Sequence, residues 1–211
     1  MKIAVLGTGV MGTALARAFA AGSHTVLLAS RDRERALASA ARAGKGVKGA
    51  LPEEAVSSSD VVILATRWAD TEEMLEYAGN FSGRVLVDAT NPESVEGYSL
   101  AVGHTISGGE KIAGWARDAR VVKAFNAIYA ELLDAGPSFG ADSASLFYCG
   151  GDREAKQVVA RLASELGFDP VDAGGLENAR LLEPAAALMV QLVRVQGHAP
   201  GTVALKLLAR A

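Results

Sequence analysis

The chain of 211 residues has one cysteine, three histidines and only 6% aromatic residues. A lone Cys149 excludes an internal disulfide and any multi-thiolate metal site. The histidines, at 24, 104 and 198, are too scattered to suggest a ligand set. No apolar run reaches the roughly 18–20 residues that a membrane span requires. The apolar start stops at Gly7, too soon for a secretory core segment, so a soluble, cytoplasmic protein is expected. Basic charge is not gathered either: 21 Lys and Arg face 24 Asp and Glu, a net charge of −3. Nucleic acid is therefore not an expected partner. With so little aromatic filling, and with Ala and Gly abundant, close backbone packing must build much of the core.

What is present alternates along the chain. Residues 2–6, 25–29, 60–65 and 84–88 are continuous aliphatic runs, the pattern of strands buried on both faces of a parallel sheet. Residues 13–21, 32–43 and 70–78 read as helices between them, with Gly22 closing the first and a loop over 44–49 following the second. Further on, helices are predicted around 110–116 and over 152–166. Strands are predicted over 120–125 and 145–149 and near 170–172. A long apolar helix over 176–195 carries Pro184 as a candidate kink. Strand and helix alternate from end to end, which predicts an α/β fold with a mostly parallel sheet. No linker interrupts the pattern, so a division near residue 126 would be a fused lobe.

The first strand runs into Gly7-Thr8-Gly9-Val10-Met11-Gly12, a G-x-G-x-x-G that opens a helix. Gly7 permits the tight turn, Gly9 lets a pyrophosphate reach the backbone, and Gly12 lets the helix pack on the strand. Free amides at the helix start then face the anion. This predicts a dinucleotide site. An acidic residue at the end of the second strand would favour a free ribose 2′-hydroxyl. Here that strand ends in Ser30-Arg31, with Arg33 and Arg35 close behind, a hydroxyl and guanidinium set suited to a phosphate ester. NADP is the predicted cofactor. Asp32 dissents, unless it caps the next helix. Thr66-Arg67-Trp68 and Thr90-Asn91-Pro92 follow the next two strands, where ligands of open α/β sheets sit. The nicotinamide half is expected to pass between them, although Asn-Pro also favours an ordinary turn.

These segments, with Asp88-Ala89-Thr90-Asn91-Pro92, Val121-Val122-Lys123-Ala124-Phe125-Asn126 and the run from Asp172 to Glu183, occur in one order along nearly the whole chain. The set resembles the NADPH-dependent reductases of coenzyme F-420, a deazaflavin, and is similar to the cytosolic dinucleotide domain of six-transmembrane metalloreductases. The resemblance implies a Rossmann-type, doubly wound α/β lobe over 1–125. A small fused C-terminal α/β lobe over 126–211 would cover the nicotinamide, and the protein would be a homodimer. It also implies hydride transfer between NADP and a deazaflavin or flavin ring. Carried across by position, Thr8 to Met11 match the pyrophosphate loop and Ser30, Arg31 and Arg35 the 2′-phosphate grip. Trp68 matches a residue lining the cofactor cleft, and Asn126 and Ala130 lie beside the nicotinamide. No acid or base is needed, because hydride transfer between stacked rings depends on orientation.

Coenzyme F-420 carries a phosphate and a polyglutamate tail, which call for positive charge. Residues 92–98 after the fifth strand hold two acids and no base, leaving Arg67 and Arg180 to compensate if the fold brings them near. A flavin or another acceptor therefore stays open. Cys149 reads as a buried strand residue, His24 as a turn residue, and His104 as a minor site candidate. Glu177, Arg180 and Glu183 read as an ion network on one helical face. Leu181, Leu182, Leu188, Met189 and Leu192 read as an apolar dimer surface. Two other readings remain: a non-catalytic NADP sensor, and a small imine or pyrroline-carboxylate reductase. The latter requires a longer helical C-terminal domain.

Overall fold

Aliphatic runs at β1 (Lys2–Leu6), β2 (Thr25–Ala29), β4 (Val61–Leu64), β5 (Val85–Asp88) and β6 (Arg120–Lys123) pair as parallel strands in the computed structural model. The structure describes residues 1–93, 100–103 and 105–210. A sixth parallel strand, β3 (Val47–Ala50), completes the order β3-β2-β1-β4-β5-β6, the Rossmann arrangement. Beyond a small hairpin of β7 (Ser138–Phe139) and β8 (Asp142–Ser143), β9 (Ser145–Gly150) joins β6 antiparallel. β10 (Asp169–Asp172) then pairs parallel with β9 as the outer strand. One sheet thus continues from the dinucleotide half into the C-terminal residues.

Alternate side chains of each central strand enter opposite layers, as the period of two demands. Ile3, Val5, Ile63 and Val87 meet Leu15 and Phe19 of α1 (Val10–Ala21) on one face; Val159 and Leu162, from a later helix, share that layer. Ala4, Leu6, Leu64 and Leu86 meet the other face, built by α3 (Pro52–Ser57), α4 (Thr71–Ala78) and α5 (Gly108–Trp115). The charged helix α2 (Arg33–Ala43) leans on the edge, burying only Ala36, Ser39, Ala40 and Ala43. Helix α6 (Ala130–Ala135) contacts α1, α7 (Arg153–Glu165) packs beneath β9, and α8 (Ala179–Gln196) crosses to α5. No helix among the described residues is long and apolar enough to cross a membrane.

The α/β class and the mostly parallel sheet match the sequence expectation. Three local readings change, and one is refined. Residues 44–49 are not all loop, because Val47–Ala50 forms an edge strand. Helices α3 and α6, each of six residues, lie where no element was predicted. Gly22 does close α1, yet with a φ of −80°, so no left-handed turn is involved. Helix α8 runs continuously through Pro184, with a 3-10 turn at Leu176–Asn178 before it.

Candidate active-site groove

The Rossmann order reverses between β1 and β4, and a groove opens beyond the carboxyl ends of those strands. Gly7 turns out of β1 with a φ of +119°, and a Cβ there would collide with the carbonyl oxygen of Ala65. A Cβ on Gly12 would strike the carbonyl oxygen of Gly7, so this glycine lets α1 lie on the loop. Gly9 differs, since a Cβ there would meet only open space. Its bareness leaves the backbone approachable rather than relieving a clash. Helix α1 starts next to it with no side-chain cap and no acidic residue in its first turn. The amide N–H groups and positive dipole end there are left for an anion.

Three cavities follow one another along the groove, all bordered by Met11. The first, about 600 Å³, is lined by Gly7 to Met11, Ser30, Arg31, Arg35, Thr66, Arg67 and Asp70. Arg35 donates from Nε to the Thr8 hydroxyl at 3.1 Å, joining the glycine loop to α2. Asp32 caps α2, its carboxylate accepting the Arg35 amide at 3.1 Å, while its own amide donates to Ser30 Oγ at 3.2 Å. The dissenting acid is thereby occupied with the helix start. Arg31 pairs with Glu73 and, at 3.8 Å, with Asp70, and lies 5.9 Å from the centre of the Tyr77 ring. Arg33 leaves the groove and pairs with Glu54.

The second cavity, about 560 Å³, is lined by Thr66, Arg67, Trp68, Ala89, Thr90, Asn91 and Glu93. The half-buried Trp68 indole packs on Trp115 with ring centres 5.4 Å apart. Arg67 is 86% exposed and donates to Asp70 at 2.8 Å. The third cavity, about 290 Å³, lies between the end of β6 and α8, with Asn91, Glu93, Phe125, Asn126, Tyr129, Ala130, Glu131, Met189 and Val190 in its wall. Burial raises the carboxyl of Glu93 above its usual value. Pro92 borders none of the three cavities and packs beside Gly108.

Asn91 and Asn126, expected beside the nicotinamide, turn out to clamp each other beneath the last two cavities, over a charged cluster that the sequence reading missed. Asn91 Nδ2 donates to the Asn126 carbonyl at 2.8 Å. Asn126 Nδ2 donates to Asn91 Oδ1 at 3.1 Å and to the Leu182 carbonyl at 3.0 Å. Between them Phe125 holds a φ of +64°, a conformation that costs a non-glycine residue about 1–3 kcal/mol. Below lies Lys123, fully buried, its Nζ 2.9 Å from Asp88 Oδ2, 2.9 Å from Glu183 Oε1 and 2.7 Å from the Thr90 carbonyl. Burial alone would lower the Lys123 pKa, but the two carboxylates outweigh it and the net shift is upward. The only sequence-level signal was a lysine closing an otherwise apolar strand.

Several lesser expectations change. Glu177, Arg180 and Glu183 do not lie along one face of one helix, since Glu177 stands in the 3-10 turn before α8 and the other two take different partners. Glu183 points inward to Lys123, whereas Arg180 grips Glu110 of α5 and holds that carboxyl down at about 2. Leu182 and Met189 are core residues; Leu181, Leu188 and Leu192 face outward. Burial pushes the Cys149 thiol up to about 12, consistent with a structural residue. His24 stands in the turn before β2 and meets Glu165 at 2.6 Å. His104 and residues 94–98 lie outside the described residues.

Comparison with known proteins adds an independent line. The family described as NADP oxidoreductase, coenzyme F420-dependent, matches residues 2–92. The chain is 34% identical over 212 residues to the F420-dependent NADP reductase of Methanothermobacter thermautotrophicus, covering 91% of this chain and 89% of that protein. It is 33% identical over 182 residues to metalloreductase STEAP3 of Rattus norvegicus, covering 86% of this chain but spanning only 36% of that relative. A crystal structure of a proposed F420-dependent NADP-reductase from Arthrobacter sp. FB24 superposes with a TM-score of 0.89 at 33% identity, covering 99% of this chain and 100% of that one. A reductive aminase from Aspergillus terreus shares the fold at a TM-score of 0.64 and 22% identity, this chain spanning 63% of its length.

Proposed function

The chain belongs to the family of F420-dependent NADP reductases, and on that footing we propose that it transfers a hydride between NADP and a deazaflavin or flavin ring. It is an NADP-dependent oxidoreductase. The observation that carries the finer reading is the continuity of the groove, from the uncapped start of α1, past Met11, to the cavity under α8.

The residues present suit a dinucleotide. Gly9 offers bare backbone, α1 offers unpaired amides, and Ser30, Arg31 and Arg35 supply a hydroxyl and two guanidinium groups for a 2′-phosphate. Gly7 and Gly12 shape this loop, and Thr8, Val10 and Met11 wall it. Thr66, Arg67, Trp68 and Asn91 would flank the nicotinamide half, Asn126 and Ala130 its far side, and Pro92 would brace the turn. Bound NADPH would supply a hydride from its nicotinamide ring, and the acceptor would take one proton from water to balance it. The protein's own part is orientation and exclusion of water: the Asn91–Asn126 clamp ties the ends of β5 and β6 together, and the Leu182 carbonyl ties both to α8. The C-terminal residues from 126 onward form the cover of this side. Leu181, Leu188, Leu192 and Val195, exposed along α8, make the face through which two copies would pair as a homodimer.

Steady-state oxidation of NADPH and NADH with flavin and deazaflavin acceptors tests the reading. Turnover with NADPH well above NADH supports it; binding of NADPH with no transfer to any ring would refute it.

A further inference from the structure

The two ends of the groove differ in charge. The first cavity holds Arg31, Arg35 and Arg67 against a single acid, Asp70. Past Met11 the balance reverses. Among the described residues, the third cavity is lined by Glu93 and Glu131 with neither lysine nor arginine, and the second has Glu93 opposite Arg67 alone. That arginine stands on the rim shared with the first cavity and is already paired with Asp70.

Cations near this end are committed elsewhere or stand apart from it. Lys123 lies beneath the floor, held between Asp88 and Glu183. Arg17, paired with Asp134 at 2.5 Å, and Arg42, bonded to Ser39 Oγ at 2.8 Å, line a neighbouring cavity that shares Val10, Ala130 and Glu131 with the third, and Arg180 pairs with Glu110. Arg194 sits one turn beyond Val190 on α8 and lines none of the three cavities. The uncharged wall combines apolar and aromatic side chains, Trp68, Phe125, Ile128, Met189 and Val190, with the neutral polar groups of Thr66, Thr90, Asn91 and Asn126.

We propose that the second substrate of this chain is an uncharged planar ring, a flavin or deazaflavin without phosphate or polyglutamate, and that Glu93 and Glu131 turn away anionic forms. The inference rests on the hydride-transfer reading above and narrows its acceptor. Apolar and aromatic walls take up the ring faces, as expected of a small-molecule cavity. A phosphate or carboxylate tail would enter a site with acids and no unpaired cation lining it, and like charge set against like charge selects against that partner. The transfer itself is unchanged: the C–H bond of the dihydronicotinamide breaks with both electrons. The hydride bonds to the central ring of the acceptor, and a proton from water balances the charge.

The test compares ring pairs that differ only in the charged tail: riboflavin with flavin mononucleotide, and the bare deazaflavin chromophore with coenzyme F-420. Both kcat/KM at saturating NADPH and binding to the NADP-loaded protein, read by ring fluorescence, are measured. The neutral member should be favoured roughly tenfold or more in each pair. The double variant E93Q/E131Q should narrow that ratio to within about threefold. Equal or better use of the anionic member, an unchanged ratio in the double variant, or no binding of either ring would overturn the proposal. NADPH binding, read by its own fluorescence, reports separately on the cofactor reading.

Discussion

Glu183 and Lys123 meet at 2.9 Å with both side chains almost wholly shielded, 1% and 0% exposed. That contact joins α8 to the end of β6, directly under the wall of the inner cavities. The same carboxylate accepts the amides of Gly108 and Gly109 at 2.9 and 3.0 Å, so one acid caps α5 from another helix. Asp88, the other partner of Lys123, accepts the Thr90 amide and hydroxyl at 2.9 and 2.7 Å. The floor of the groove is therefore an internally satisfied ionic network.

Removing the cation from that network should be costly. Lys123→Met leaves two buried carboxylates facing one another, which is expected to cost about 3–5 kcal/mol. For a chain of this size that lowers Tm on the order of 10 °C. Adding D88N and E183Q to the same variant should recover part of the loss, because no charge is then left unpaired. Thermal unfolding of the single and triple variants checks both halves; a single variant as stable as the parent would contradict the network.

The Arg180–Glu110 pair sets an acid-side dependence. The hydrogen bond from Arg180 holds Glu110 at about 2, against an ordinary value of 4.5. Its stabilisation is fully present above the ordinary value and is lost as pH falls from there toward 2. Water screens the half-exposed Arg180, so the contribution is well below what the full shift would give. Glu110→Gln should lower stability at neutral pH and flatten its pH dependence across that window, as measured by Tm against pH.

Two glycines of the loop should separate folding from binding. Gly9→Ala puts a methyl into open space, so Tm should hold within about 1 kcal/mol equivalent while NADPH affinity falls tenfold or more, about 1.4 kcal/mol. Gly12→Ala drives a methyl into the Gly7 carbonyl and should destabilise the fold itself. Paired melting and NADPH titration distinguish them.

Arg35 is exposed and bonds Thr8, so Arg35→Ala should change stability by less than about 0.5 kcal/mol. Its loss should lower the preference for NADPH over NADH by about tenfold, as for one charge-assisted contact to a phosphate. Equilibrium titration with both nucleotides reads this ratio.

The sequence showed the parts of this fold that follow from local pattern. Continuous aliphatic runs marked β1, β2, β4, β5 and β6, and the glycine spacing marked the turn into α1. Val47–Ala50 escaped notice because an edge strand carrying Lys48 and Gly49 lacks the two-sided burial that makes a run apolar. The antiparallel sense of β9 was hidden for another reason: side-chain pattern reports burial and says nothing of direction. In the groove, Ser30, Arg31 and Arg35 were legible because they lie close together in sequence. Asp88, Lys123 and Glu183 were not, being separated by 35 and 60 residues and brought together only by the sheet and α8. A charged residue at a strand end looks like an exposed boundary until its partners are seen.

Direct passage of a hydride across the groove is the central claim. NADPH deuterated at the reacting nicotinamide carbon, mixed anaerobically with the protein and a neutral deazaflavin, tests it in one step. The reduced deazaflavin should carry the label on its central-ring carbon, found by mass spectrometry, as hydride passes without exchange. Reduced ring bearing no label, or NADPH left unconsumed beside bound deazaflavin, would contradict it.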